Sequence, residues 1–277
     1  MSRSGPTTRT KVEVLDGSRV SRREDVLATE EPLELRLAWP GRRAQPLAVT
    51  MRTPGADFEL AAGFCHGEGL IGAAGLETVA YCNDSVLTAE QRYNTVTVTL
   101  AGPPARDPAP RYGVTSAACG VCGQQSLDEL AERDHPPVDE TLAIEVDVVR
   151  RLPDLLREAQ PTFARTGGLH AAGLFGADGS AVVVREDIGR HNAVDKVVGW
   201  TVLGGRSRAG LALVVSGRAG YEIVQKAVAA GLGMVVAVGA PSSLAVDVAR
   251  RFGVTVAGFT RGDRCVVYSR PERIRRA

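Results

Sequence analysis

The sequence predicts an α/β protein: a three-layer α/β/α domain over residues 146–277, preceded by a smaller α+β domain over residues 31–145. Two observations carry this expectation. In the second half, short apolar runs alternate with helical patterns. The runs are continuous, as when helices cover both faces of a largely parallel sheet. In the first half, apolar and polar residues alternate, the pattern of strands with one wet face.

Taken in order, residues 1–30 are polar, basic and then acidic, and read as a mostly disordered tail with a short strand at most near 11–15. Residues 33–39 and 46–51 read as strands. Pro54-Gly55 marks a turn, and Asp57 is placed to cap a helix over 58–66, where Leu60 and Phe64 share a face. Residues 78–82 and 93–100 are further strands, and 101–110 is a Pro-rich break. A cysteine loop, expected to be flexible, and a short acidic helix over 127–132 close this half. The second half begins with a helix over 148–159, despite Pro153. Strand 169–175, the turn Gly176-Ala177-Asp178-Gly179, strand 181–185 and a helix from Asn192 follow. Strands at 211–215, 234–238 and 254–259 then alternate with helices at 220–230 and 243–252. No internal repeat is present.

The 277 residues carry 33 Lys and Arg against 32 Asp and Glu, a net charge of +1, so no global field points to nucleic acid. No run of about 18 apolar residues occurs, so no membrane span is expected. Met1-Ser2-Arg3-Ser4-Gly5-Pro6-Thr7 lacks the apolar core of a signal peptide. Five cysteines, without the spacing of a disulfide framework, suit a reducing cytoplasm. Cys65, Cys82 and Cys265 read as structural, and His66 as packing or surface.

Cys119-Gly120-Val121-Cys122 is the exception. Two thiols at this spacing can bind a metal, shuttle a disulfide or carry sulfur. No second Cys-x-x-Cys completes a four-thiolate zinc site. A glycine-flanked thiol pair in a loop suits delivery of sulfur to a buried acceptor.

Ligands of such sheets bind beyond the carboxyl ends of the strands. Polar segments fall at those ends: Glu186-Asp187-Ile188-Gly189-Arg190-His191-Asn192, Ser216-Gly217-Arg218-Ala219-Gly220, Gly239-Ala240-Pro241-Ser242-Ser243 and Thr260-Arg261-Gly262-Asp263-Arg264. Thr166-Gly167-Gly168-Leu169-His170 joins them if strand 169–175 is antiparallel. Three helix N-termini offer N–H groups to an anion. Arg190, Arg218, Arg261 and Arg264 add forked donors suited to phosphate. A phosphorylated or nucleotide ligand is expected. Each loop alone reads more readily as a turn with a solvated charge, and their convergence on one edge is what favours a ligand site. His191 and His170 are each a base, a phosphate contact or a loop-ordering group.

Cys119-Gly120-Val121-Cys122-Gly123, Thr166-Gly167-Gly168-Leu169-His170-Ala171-Ala172 and Arg185-Glu186-Asp187-Ile188-Gly189-Arg190-His191-Asn192-Ala193-Val194-Asp195-Lys196 resemble the formate dehydrogenase accessory sulfurtransferase family. So do Met51-Arg52-Thr53-Pro54-Gly55, Ser216-Gly217-Arg218, Val224-Gln225-Lys226-Ala227, Ser243-Leu244-Ala245-Val246 and Gly258-Phe259-Thr260-Arg261, a likeness over roughly residues 45–270. The resemblance implies a cytoplasmic homodimer that takes persulfide sulfur from a cysteine desulfurase. Cys119 would carry the sulfur and Cys122 assist. The acceptor would be a molybdenum (or tungsten) bis-guanine-dinucleotide cofactor bound for the formate dehydrogenase catalytic subunit, with GDP as a surrogate ligand. Phe259, Thr260, Arg261, Gly262, Asp263 and Arg264 would touch that cofactor, and Arg218, His191, Arg190, Gly168, His170 and Ser216 are the further binding residues expected from the edge. No resident metal is expected. The family's second half is similar to the cytidine-deaminase fold. Here His191-Asn192-Ala193 and Ser216-Gly217-Arg218-Ala219 lack that fold's catalytic glutamate and zinc thiolates, so deamination is not expected. The competing readings are a guanine-nucleotide-binding scaffold or chaperone with structural thiols, and a metal-binding protein.

Overall fold

The computed structural model describes residues 4–82, 88–108, 111–114, 130–131 and 135–276. Cys119, Cys122 and most of the expected 127–132 helix lie outside these residues.

Residues 7–28 form a hairpin, not the expected disordered tail. Strand β1 (Thr7–Asp16) pairs with β2 (Arg19–Ala28) around a turn in which Gly17 takes φ +59°. Neither strand has an apolar face, which hides them from a periodicity reading. Cross-strand charges link them instead: Arg22 sits 2.7 Å from Glu13 and Arg9 3.5 Å from Glu24.

The next unit is a five-stranded sheet in the order β5-β6-β3-β4-β7. Its strands are β3 (Glu31–Trp39), β4 (Arg42–Arg52), β5 (Leu76–Tyr81), β6 (Thr95–Leu100) and β7 (Arg111–Val114). Alternate residues Leu33, Leu35 and Leu37 pack with Val96, Val98 and Leu100 against Leu60, Ala61 and Cys65 of helix α1 (Asp57–Gly67). The short helix α2 (Ala89–Tyr93) lies between β5 and β6, opened by a Thr88 and Gln91 capping box. Asp57 does not cap α1: Ala56 holds that position at φ +53°, with no side-chain bond. Burial redirects the Asp57 carboxylate, which accepts from Tyr81 Oη at 2.9 Å and Arg52 Nη2 at 3.2 Å.

The second half is a six-stranded sheet in the order β10-β9-β11-β12-β13-β14. Its strands are β9 (His170–Gly176), β10 (Ala181–Asp187), β11 (Leu211–Val215), β12 (Met234–Ala237), β13 (Thr255–Arg261) and β14 (Arg264–Ser269). β11, β12 and β13 run parallel, while β9 and β14 are antiparallel to their neighbours. A two-stranded parallel pair, β8 (Ile144–Glu145) with β15 (Ile274–Arg275), ties the ends of this half together. Helix α3 (Val146–Glu158) covers one face through Val149, Leu152 and Leu156. Helices α5 (Arg190–Leu203), α6 (Tyr221–Ala229) and α7 (Ser243–Phe252) cover the other. The short helix α4 (Pro161–Thr166) and strand β14 are not read from the sequence. β14 is half-buried edge strand, and α4 is too brief to show a helical period.

The two halves meet where α1 crosses α5. A Cβ at Gly63 would fall onto the Asp195 carbonyl, and one at Gly199 onto the Glu59 carbonyl. Only glycine lets the backbones approach this closely.

Candidate functional site

Because β10, β11, β12 and β13 point the same way, their carboxyl ends share one edge with the start of antiparallel β9. Helices α5, α6 and α7 all begin there, after Gly189, Gly220 and Ser242. Ser216 is fixed to β9, its Oγ accepting from Ala171 N–H at 2.9 Å. A Cβ at Gly217 would lie 3.4 Å from His170 Nδ1 and 3.9 Å from Arg190 Cδ, so these three residues are neighbours. The Arg218 side chain lies along Gly239, whose N–H donates to the Gly217 carbonyl at 2.9 Å. The Phe259 N–H donates to the Gly239 carbonyl at 3.1 Å.

Phe259 is unusual. Its φ is +49°, left-handed backbone that bulky residues avoid, and its ring is 44% exposed. The Arg264 guanidinium lies 5.8 Å from that ring. Gly262, at φ +55°, turns the chain from Arg261 to Arg264, which pair directly across β13 and β14. Thr260 Oγ1 and Arg190 Nε are buried and have no hydrogen-bond partner among the described residues.

The edge therefore gathers His170, Arg190, Ser216 and Arg218, and sets the Phe259 to Arg264 turn beside Gly239. Gly168 stands apart. A Cβ there would meet Ala28 of the hairpin at 3.7 Å.

The segment from Arg185 to Lys196 does more than line the edge. Arg185 makes a bidentate pair with Glu59 of α1, at 2.6 and 2.8 Å. Glu186 accepts from the Thr162 and Phe163 N–H groups at the start of α4. Asp187 accepts from Thr53 N–H, Gly189 N–H, Asn192 Nδ2 and Lys196 Nζ, the last at 2.6 Å. Asn192 also donates to the Met51 carbonyl. Arg185, Asp187 and Asn192 thus fasten the sheet to the first half of the chain, while Glu186 holds the start of α4. The sequence reading missed this role, because Thr53 and Glu59 are distant in sequence and carry no local signal.

His191 lines a cavity of about 270 Å³ between β4, α1, α5 and α6. Burial, reinforced by the charges of Arg190, Lys226 and His170, pushes its pKa down to about 3. Its Nδ1 lies 3.4 Å from Glu222 Oε2, which for a neutral ring is a polar contact and not an ion pair. Burial and Arg190 also lower the pKa of His170, against the pull of Asp187. Lys226 and Asp195 pair at 2.6 Å on the cavity floor.

Residues 28–275 match the FdhD/NarQ family. The chain belongs to that family. It is 47% identical to the sulfur carrier protein FdhD of Nocardia farcinica over 97% of this chain and 95% of that one. It is 49% identical to the sulfur carrier protein FdhD of Anaeromyxobacter dehalogenans over 90% and 88%. A solved structure described as a formate dehydrogenase accessory protein of Desulfotalea psychrophila shares the fold, with a TM-score of 0.75 at 24% identity over 98% of this chain and all of that one. The FdhD/NarQ match begins at residue 28, so the body of the β1–β2 hairpin precedes it. Among the described residues, no cluster of three His, Cys, Asp or Glu side chains could hold a metal ion, and no helix is long and apolar enough to cross a membrane.

Proposed function

We propose that this chain is a sulfur carrier for formate dehydrogenase maturation. It accepts persulfide sulfur on Cys119 and passes it to a molybdenum bis-guanine-dinucleotide cofactor, held as cargo at the carboxyl edge of the six-stranded sheet. The names of its relatives support the carrier role. The observation that carries the cargo site is the edge itself, with forked donors, three helix N-termini, an exposed Phe259 in strained backbone and two buried polar atoms lacking partners. An unpaired buried polar atom costs roughly 1–3 kcal/mol, which a ligand can offset.

In the loading step the Cys119 thiolate attacks the terminal sulfur of the desulfurase persulfide. A new sulfur–sulfur bond forms on Cys119, the donor bond breaks, and the donor cysteine leaves as thiolate. Release as hydrosulfide needs two electrons. Cys122 supplies them by attacking Cys119 Sγ, which forms a Cys119–Cys122 disulfide and expels hydrosulfide toward the metal. Two equivalents of a small cellular thiol then reduce the disulfide and leave as their own disulfide.

The same reading makes the chain a cytoplasmic homodimer, with a cysteine desulfurase as donor and the formate dehydrogenase catalytic subunit as recipient. It takes residues 31–145 and 146–277 as separate domains, the second deaminase-like but without deaminase chemistry. Intact-protein mass measured after incubation with a desulfurase and cysteine tests it. A one-sulfur adduct present in wild type and absent in Cys119→Ala is expected. GDP binding without any adduct would favour the nucleotide-binding scaffold, and bound zinc without an adduct the metal-binding reading.

A further inference from the structure

The hairpin β1–β2 is anchored to the rest of the chain at its base. Thr8 Oγ1 and Thr29 Oγ1 lie 2.9 Å apart, Thr29 N–H donates to the Pro6 carbonyl at 3.0 Å, and Ala28 stands beside Gly168. Beyond that base it is a sheet of two strands, and among the described residues β1 pairs with no strand but β2. A sheet of two strands is marginally stable in water, and further strands make it persist. A free ten-residue edge is also a template for another chain. Near the tip, Leu15 and Val20 face each other and are 73% and 62% exposed. The two-residue turn makes Asp16 and Arg19 a hydrogen-bonded pair, so alternation turns the N–H and C=O groups of Arg9, Lys11, Glu13 and Leu15 outward. The matched family region begins at residue 28, which leaves this edge outside it.

We propose that β1 pairs antiparallel with β1 of a second copy of this chain, centred on Val12, and joins the two hairpins into one four-stranded sheet. A two-fold axis normal to the sheet sets one residue against its own copy, and Val12 is an uncharged, half-buried residue at the middle of the strand. In that register Lys11 of each copy faces Glu13 of the other. The hairpin register already sets Lys11 against Glu24 and Glu13 against Arg22. Each of the two central rows therefore reads Glu24 and Lys11 of one copy, then Glu13 and Arg22 of the other, and charge alternates at every step across four strands. Arg9 falls opposite Leu15 of the second copy, and its apolar stem covers that exposed side chain. Centring on Thr10, Lys11 or Glu13 opposes like charges, and centring on Val14 shortens the ladder. The same operation at the middle of β2 sets Arg23 or Glu24 against itself. The pairing rests on the homodimer reading and supplies its contact surface.

Val12→Cys tests the axis in the full-length protein. Across that axis the two Cα atoms stand about 4.5 Å apart, within the span of a disulfide. Mild oxidation should give a covalent dimer on a non-reducing gel, while Ser21→Cys and wild type, oxidised side by side, stay at their common background. Lys11→Glu should raise the dimer dissociation constant about tenfold or more, read by light scattering over a dilution series. The combined variant Lys11→Glu, Glu13→Lys, Arg22→Glu, Glu24→Arg reverses every sign in both central rows. It should dimerise like wild type and not mix with it, because position 13 of one would then oppose Lys11 of the other with like charge; native mass spectrometry of the mixture reads this. An unfolding transition like that of wild type confirms that each variant is folded. Unchanged dimer affinity in folded Lys11→Glu, or a Val12→Cys dimer that does not cross-link above background, overturns the pairing and leaves the homodimer reading standing. A monomeric mass at every concentration overturns both.

Discussion

The Lys196 ammonium lies 2.6 Å from Asp187 Oδ2, and neither side chain reaches solvent. The same ammonium donates to the Thr53 and Glu186 carbonyls, and the same carboxylate accepts from Thr53 N–H. One ion pair therefore locks the β4–α1 turn to the β10–α5 turn, at the root of the edge that carries Arg190 and His191.

Asp187→Ala is expected to destabilise the protein by about 3–5 kcal/mol, because it strands a buried ammonium and also removes the acceptor of three N–H donors. Urea unfolding measures the loss. A loss below about 1 kcal/mol would show that water readily replaces the carboxylate.

Gly199→Ala forces α1 and α5 apart, since the new methyl meets the Glu59 carbonyl and the Gly63 nitrogen. Overpacking of this kind costs typically about 1–3 kcal/mol, and more where backbone is the obstacle. Gly168→Ala is the control. Its methyl meets only ordinary contacts, and stability should stay within about 0.5 kcal/mol. Equal unfolding midpoints for the two variants would refute the close helix crossing.

Acid should weaken the fold with a calculable slope. His66 and His191 are buried, which lowers their pKa values to about 4 and about 3. Below about pH 6.5 the unfolded chain protonates these rings while the folded chain does not, so stability is lost as pH falls. Asp195 opposes them: burial raises its pKa to about 6, so the folded chain gains its proton first. Between about pH 4 and 6 the unfolded chain thus holds about one extra proton from these three groups, a loss of about 1.4 kcal/mol per pH unit. Urea unfolding at pH 6, 5 and 4 should show this decline, and His191→Gln should flatten it. A slope unchanged in that variant would mean that His191 titrates in the folded protein near its ordinary pKa.

The alternation of apolar runs and helices over residues 211–252 is legible because each strand is buried on both faces, by α3 on one side and α5 to α7 on the other, and so reads as a continuous apolar run. The hairpin β1–β2 is not, because its ladder of backbone pairs carries mostly polar and charged side chains and little of it is buried. Residues 11–15, which read as a short strand, and Asp16-Gly17 signal only its centre, with Gly17 supplying the left-handed turn. For the site, strand direction alone brings His170, Arg190, Ser216 and Arg218 to one edge, so the sequence could point there. The cavity acids Glu68, just past α1, Asp195 of α5 and Glu222 of α6 meet only because α1 and α5 cross closely at Gly63 and Gly199, and no local pattern reveals that meeting.

Arg218 and Arg261 offer the sharpest test of the cargo edge. They follow different strands, β11 and β13, yet both strands end at the same side of the sheet. If each guanidinium meets a cofactor phosphate, each charge-assisted contact contributes about 1.5–3 kcal/mol. Arg218→Ala or Arg261→Ala should then weaken GDP binding by about tenfold or more. Lysine at either position should restore only part of the loss, because an ammonium lacks the planar fork. Loading of Cys119 should persist in both variants, since it occurs on a separate loop, which gives a protein that accepts sulfur and fails to deliver it. Calorimetric titration with GDP beside the mass assay reads both halves. Wild-type GDP affinity in both alanine variants would show these arginines to be surface charges and would move the cargo away from this edge.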